Sequence, residues 1–400
     1  MEVGNEVSRQ MVHISKNVKG LYLSETSLKQ LKILKEDFPR QSLSAVSAEE
    51  PMSARCCTDD GAPKCLERSP TPDRPSTIPF KPIPENRERL ERWFVEKFAG
   101  SAFNTCTHQR LQGMTGVPMK IVKKENVTDH PKAYTPIPVP FHFKEQVKKD
   151  LDRDVRLGII EPVPQGEVGD WCSRMVITPK ANGKPRRTID FQALNNATLR
   201  EVHHTPSPFN LVSSIPSNKL KTVLDAWNGY HSLVLDPESK DLTTFVTEYG
   251  RFRYCHGPQG FHGTGDAYTR RFDDITSGEE RYVRCIDDGL LYDDDLENAF
   301  WHTFDHLTLC ASNGIVFNVD KFRFAAETVE FAGFKVTMDG FGPTQNTLDS
   351  ILNYPTPKTI TDIKSWFGLV GFVAYAFSQS EVMQPFRSFM QGKQKKILLG

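Results

Sequence analysis

The 400-residue sequence carries no surplus of charge of either sign, because 50 Lys and Arg are balanced by 50 Asp and Glu. Any surface for nucleic acid must therefore be a local patch and not a property of the whole chain. No charged segment followed by an apolar run opens the chain, and its longest apolar stretch, Trp366–Phe377, is too short to cross a bilayer. This predicts a soluble, non-secreted protein without membrane contact. CxxC pairs are missing as well: Cys56, Cys57, Cys65, Cys106, Cys172, Cys255, Cys285 and Cys310 are scattered, which fits a reducing compartment. The stretch "CCTDDGAPKC" lacks both a CxxC unit and a spaced His pair, so no zinc site is expected there. There is no internal repeat. The glycines of "GFHGTG" have the wrong order for G-x-G-x-x-G, with no strand-to-helix crossover, which excludes a dinucleotide-binding reading.

What is present divides into regions of different texture. Residues 1–80 are polar and rich in Pro and Ser, as in "RSPTPDRPSTIP", and cannot bury enough apolar surface to fix a fold. This region is expected to be a loosely ordered linker. Residues 81–130 open with "NRERLERWFVEKFAG", where Leu90, Phe94 and Phe98 recur at helical spacing, Asn86 is placed to cap and Gly100 to stop the helix. In 131–320, "FKEQVKKDLDRDVRLG" gives a second stripe of Val147, Leu151 and Val155, closed by Gly158. From Trp171 onward short β-rich runs follow: "RMVITPK", "PRRTIDF", "KTVLDAW", "HSLVLD", "TTFVTEYGRFRYC" and "VRCIDDGLLY". Interspersed helices make the class α+β. Leu296, Phe300, Phe304, Leu307 and Cys310 mark a long helix, and in 321–400 "TITDIKSWFGLV" reads as a helix capped by Thr359 with Asp362 three residues on.

One stretch raises a chemical question. "YVRCIDDGLLYDDD" places Asp287 and Asp288 side by side between two β-forming runs. Adjacent ionised carboxylates repel and are costly beside buried strands unless a cation neutralises them. Two readings stand open on these residues: a hairpin turn, since Asp is a common turn residue, or a site for a hard divalent metal. Asp225 in "KTVLDAWNGYHSLVLD" ends another apolar run, and an antiparallel sheet can bring it beside the pair. Three carboxylates could then share two metals roughly 3.5–4 Å apart, the arrangement used for in-line phosphoryl transfer.

The order of motifs adds a resemblance. From about Pro131 to Gln391 the chain resembles the reverse transcriptase of Gypsy-like long-terminal-repeat retrotransposon polyproteins, relatives of the retroviral enzymes. "WCSRMVITPKANGKPRRTIDFQALN" is similar to the fingers segment, "LDAWNGYHSLVL" and "GPQGFHGTGDAYTRRFDDI" to two palm motifs, and "CIDDGLL" to the catalytic hairpin. "GIVFNVDKFRFAAETVEFAGFKV" is similar to the primer-grip region and "YPTPKTITDIKSWFGLVGFVAYAF" to the segment after it. The resemblance implies a right-hand polymerase with palm and fingers around an antiparallel palm sheet, over 131–320, and a thumb or connection-like end over 321–400. It implies an RNA-directed DNA polymerase using Mg²⁺, or Mn²⁺ in its place, with deoxynucleoside triphosphates and a primed RNA or DNA template as substrates. The expected setting is the cytoplasm, virus-like particles or, with access, the nucleus, in company with the rest of a Pol polyprotein or a second copy.

Carried across residue by residue, the resemblance makes Asp225, Asp287 and Asp288 the catalytic metal ligands. It places Tyr230 under the incoming sugar, Ala226, Gln259 and Gly260 against the nucleotide, and Lys180 and Arg186 on the triphosphate. Phe331, Gly333 and Phe334 become primer-grip candidates. Read alone, Tyr230 is equally a packing aromatic, "GPQG" a turn, and Arg186 with Arg187 a solvated charge pair. Arg174, Lys180, Lys184, Arg186, Arg187 and Arg200 form a candidate basic stripe. Two departures stand out. Cys285 occupies the usually aromatic place two residues before Asp287, which is expected to weaken contact with the primer end and spare the metals. Second, no D-[ST]-G of an aspartic protease occurs: Asp59–Lys64, "DDGAPK", lacks the hydroxyl residue, although "LYLSETSLKQLKILKEDFP" resembles sequence that trails such a protease. The chain is expected to be a piece of a polyprotein stopping short of ribonuclease H. A degenerate or repurposed remnant that binds nucleic acid without polymerising is the other reading.

Overall fold

The computed structural model describes residues 68–376 except 107–108, 128–129, 134 and 181–182, together with residues 2–3 and 6–7. The linker character of the first 67 residues, the "CCTDDGAPKC" stretch and the protease-trailing resemblance thus lie outside the described residues, apart from an antiparallel pairing of Glu2–Val3 with Glu6–Val7. The chain divides into two units, Met1–Glu50 and Pro51–Gly400, and everything below concerns the second.

In that unit the strands are β1 (Ile160–Pro162), β2 (Ser173–Pro179), β3 (Pro185–Ile189), β4 (Leu220–Asp225), β5 (Phe245–Thr247) and β6 (Gly250–Tyr254). They continue with β7 (Tyr282–Cys285), β8 (Asp288–Asp293), β9 (Arg323–Ala326), β10 (Val329–Phe331), β11 (Phe334–Val336) and β12 (Phe341–Pro343). The longer helices are α1 (Arg87–Lys97), α2 (Lys144–Arg156), α3 (His262–Thr276), α4 (Leu296–Ser312) and α5 (Ile360–Gly371). These strands form three sheets, β1-β6-β5-β2-β3, the antiparallel β7-β8-β4-β9, and β10-β11-β12, and the short segments Phe103–Asn104 and Phe317–Asn318 pair in parallel as a fourth. The architecture is α+β, as the alternation of short β-rich runs and helices implies, with the antiparallel central sheet that the resemblance implies.

Alternation along β4 divides the interior into two cores. Leu224, with Leu291 of β8, points into the main core beneath α4 and α1, while Val223 and Leu290 point into a second cluster with Phe331, Phe334 and Val336. The main core is aromatic: Phe94 of α1 lies 4.9 Å from Phe300 of α4 and 5.1 Å from Phe324 of β9. Removing each such ring from water contributes roughly 2–3 kcal/mol. Lys221, on the Val223 face of β4 and fully buried, would be expensive there without partners. Its ammonium donates to the carbonyls of Glu327 at 2.8 Å and Thr337 at 2.7 Å, and meets Met338 Sδ at 3.6 Å.

Helix ends follow the sequence signals unevenly. Thr359 and Asp362 form the expected capping box on α5, and Gly100 and Gly158 take left-handed φ of 75° and 76° after α1 and α2. Asn86 stands at the cap position of α1, but its side chain does not cap; its amide donates instead to the Lys81 carbonyl at 3.0 Å. The stretch "HSLVLD" is not a strand. Gly229–Ser232 winds as a 3₁₀ turn, and the extended residues after it divide their backbone bonds between two neighbours, Met119 accepting and donating on one side and Cys255 accepting on the other. Alternating apolar residues cannot distinguish such a shared segment from a strand. Among the described residues no helix is long and apolar enough to cross a membrane.

Candidate active site

Strand register brings two of the three aspartates together. Asp288, first residue of β8, is paired with Asp225, last residue of β4, and Asp288 is also opposite Cys285 across the β7–β8 hairpin. Directly opposed residues project to the same face, here that of Val223 and Leu290, so the two carboxylates sit at the open end of the second core. Asp287 occupies the two-residue hairpin turn with Ile286. Its carbonyl accepts from the Ala226 amide at 2.8 Å, which ties the turn to the end of β4. Ile286 holds a φ of 57°, a strained state for a β-branched side chain. Behind the turn the buried Arg284 donates to the carbonyls of Ile286 and Thr269 and pairs with Asp273 of α3, fixing the hairpin against that helix.

The electrostatics of the group call for a cation. Burial, then the neighbouring Asp225 charge, raises the pKa of Asp287. Burial, then a hydrogen bond and charge from Asp225, pushes Asp288 up to about 6. Asp287 Oδ1 and the Tyr268 hydroxyl are both buried and face each other without a well-formed hydrogen bond, though the hydroxyl draws the Asp287 pKa down. A buried carboxylate so weakly satisfied, beside two further carboxylates, is a donor set suited to a hard divalent ion. The set is not drawn tight: among the described residues no three His, Cys, Asp or Glu side chains converge closely enough to hold an ion, and Asp225 Oδ2 is instead engaged by Lys321 Nζ at 2.6 Å. The acidic run after β8 lies elsewhere. Asp293 meets His302, Asp294 pairs with Lys219, and Asp295 caps α4.

Close packing surrounds Asp287. The chain leaves β4 through Asn228, left-handed at φ 54°, and reaches Gly229, where a Cβ would lie 2.4 Å from Asp287 Oδ1. Tyr230 follows, half-buried, its ring edge-on to Tyr268 with centroids 5.4 Å apart; burial raises its hydroxyl pKa. Gln259 and Gly260 are exposed on the turn before α3, with Gly260 at φ 94°. Asn195 clamps that turn, donating to the Gly260 carbonyl at 3.0 Å and accepting from the His262 amide at 2.9 Å.

The five-stranded sheet resolves the basic stripe. Along β2 and β3, Arg174 and Arg186 fall on the solvent face, and Lys180 lies exposed just past β2. Arg187 falls on the other face and pairs with buried Asp154 of α2, and Arg200 is bound to Asp266 at 2.7 Å. Arg187 therefore belongs to the interior and leaves the stripe, while Arg200 stays at the surface with its side chain 55% exposed. Phe331 and Phe334 also differ from expectation: both are buried, Phe334 stacking on Phe372 at 4.5 Å, and only Ala332 and Gly333 of the turn between them reach solvent. The side chains that this hairpin presents to solvent are Glu330 and Lys335, not the two phenylalanines. Lys321, Gly229, Tyr268 and Asn195 escaped the sequence reading; the tight "DAWNGY" turn was the one local signal for a close approach.

Comparison with known proteins bears on the residues that carry this site. The model described as reverse transcriptase (RNA-dependent DNA polymerase) matches residues 178–336, a span that contains the three aspartates and the nucleotide and primer-grip candidates. These residues are a reverse-transcriptase domain. The chain is 24% identical over 302 residues to the retrovirus-related Pol polyprotein from transposon gypsy of Drosophila melanogaster, covering 74% of the chain and 29% of that protein. It is 26% identical over 221 residues to the Pro-Pol polyprotein of simian foamy virus type 1, covering 55% of the chain and 19% of that protein. The chain thus spans less than a third of the length of either relative. In fold, the reverse-transcriptase domain and its flanks resemble the foamy viral protease-reverse transcriptase solved with double-stranded DNA, at TM-score 0.69 and 18% identity over 81% of this chain and 59% of that one. The same viral protein solved with an RNA/DNA hybrid gives 0.67 at 17% identity, over 82% and 45%.

Proposed function

We propose that this domain is an RNA-directed DNA polymerase that adds deoxynucleotides to a primer 3′-hydroxyl on an RNA or DNA template. The observation that carries the reading is the pairing of Asp225 with Asp288 beside Asp287 at one sheet end. Asp225, Asp287 and Asp288 are the residues that would hold divalent ions, Mg²⁺ or Mn²⁺. Such ions, when bound, lower the pKa of the primer hydroxyl and neutralise the leaving pyrophosphate. In the reaction a bond forms from the primer oxygen to the α-phosphorus, and the bond from that phosphorus to the bridging oxygen breaks.

The chain's own residues bind and orient. Lys180 and Arg186, on the exposed side of the β2–β3 ribbon, meet the triphosphate, Arg through its fixed fork of donors. Ala226 and Tyr230 form the floor under the sugar, where the ring excludes a 2′-hydroxyl. Gln259 and Gly260 contact the nucleotide from the turn that Asn195 holds. The Ala332–Gly333 turn, between Phe331 and Phe334, supports the primer backbone. Template and primer are gripped largely by charge, so affinity falls with salt.

Primer extension on an RNA template with Mg²⁺, comparing wild type with Asp287→Asn, tests the reading. Extension by wild type, lost in the variant, is expected. A folded wild type that binds primer–template but never extends it, with Mg²⁺ or Mn²⁺, would favour the non-polymerising remnant.

A further inference from the structure

Lys321 reaches the aspartate group from the far side of the sheet. It ends a 3₁₀ turn, Val319–Lys321, whose start is held by the Asn318 side chain accepting from the Asp320 amide. The turn leads directly into β9, the strand that flanks β4, and so returns a lysine to the end of β4 where Asp225 stands. The hydrogen bond to Asp225 raises the lysine pKa, and the charges of Asp225, Asp288 and Asp287 add to it.

Two cations thus bear on the carboxylates, and they differ in kind. Arg284 has a side chain only 4% exposed and is locked by two carbonyls and Asp273. Lys321 has a side chain 60% exposed, on a flexible stem, and engages the group through Asp225. An ion pair that open to water adds little to folding, so stability does not account for its placement. Its Nζ occupies one of the two oxygens of Asp225, and among the described residues no three carboxylate, His or Cys side chains converge on an ion position.

We propose that Lys321 is an exchangeable internal counter-ion of the aspartate group, pairing with Asp225 when metal is absent and swinging into solvent when a divalent ion takes that oxygen. Metal affinity is then set by competition with the chain's own ammonium. This rests on the reading that the aspartates bind divalent ions.

Mn²⁺ binding to the full chain, followed by the electron paramagnetic resonance signal of the free ion, separates the two ideas. Lys321→Met and Lys321→Gln are expected to bind Mn²⁺ about fivefold more tightly than wild type, the scale of one exposed ion pair. Both should keep a melting temperature close to wild type without metal, as an exposed ion pair adds little to folding, whereas Lys321→Arg, which keeps the charge, should bind Mn²⁺ as wild type does. Unchanged or weaker Mn²⁺ binding by the folded neutral variants overturns the counter-ion role while leaving the metal site standing. Asp287→Asn is the control: if it binds Mn²⁺ as well as wild type does, the metal reading falls and the counter-ion proposal falls with it.

Discussion

Gly229 and Asp287 interlock: a Cβ on Gly229 would sit 2.4 Å from Asp287 Oδ1 and 2.8 Å from the Tyr268 hydroxyl. Both atoms lie on side chains fixed by packing, so Gly229→Ala displaces the carboxylate without unfolding the sheet. Primer extension should fall about a hundredfold, the scale set by a misplacement of roughly 1 Å, with the melting temperature lowered by only a few degrees. Extension at wild-type rate would mean that Asp287 has a second usable position.

Tyr230 stands on Tyr268 and lines the approach to Asp287. Tyr230→Val removes the ring that is proposed to exclude a 2′-hydroxyl. Discrimination against ribonucleotides, measured as the ratio of kcat/KM for the two sugars, should drop roughly tenfold or more. An active variant with the same ratio would assign the selection to another residue.

Cys285 shares a sheet face with Asp288 and Asp225, since it pairs with Asp288 across the hairpin. β7 ends at Cys285 and Asp287 lies in the turn, so simple alternation from Cys285 to Asp287 does not apply. A ring at this position would still flank the proposed reaction centre. Cys285→Tyr should improve extension from a weakly paired primer and leave the Mg²⁺ concentration dependence unchanged. Equal extension by a well-folded variant would show the site to be adapted to cysteine.

His231 supplies a stability switch with a definite sign. It is buried, with Nδ1 3.1 Å from the Gly257 carbonyl, and burial chiefly pushes its pKa from 6.5 down to about 4. The unfolded chain takes up the proton first as pH falls. Its contribution is therefore complete above the unfolded value of 6.5 and is lost as pH falls to about 4, an effect on the order of 3 kcal/mol. Urea unfolding between those pH values should show a slope that His231→Asn reduces. A difference between the two proteins that does not change with pH would refute this.

The elements were legible where one residue's neighbours in sequence are also its neighbours in space. The stripe of Leu90, Phe94 and Phe98, the Thr359–Asp362 box and the apolar runs ending in Asp225 and Asp287 all announce themselves locally. Pairing across the fold did not. Lys321 and Asp225 meet only because β9 adds to the edge of β4, and Arg187 turns from a candidate phosphate ligand into a core partner because strand alternation aims it at Asp154. Phe331 and Phe334 misled for a similar reason: a hairpin at the right place in the order of motifs still has an inside, and both rings are on it.

Lys221 has a mechanical consequence. One ammonium on β4, four residues before Asp225, holds the carbonyls of Glu327 and Thr337, the two flanks of the β10–β11 hairpin. The hairpin and the carboxylate-bearing strand are thereby riveted into one plate, with the rivet out of water's reach. β12 pairs with β11, so the plate runs on to Pro343 and fixes the spacing between the Ala332–Gly333 turn and the aspartates.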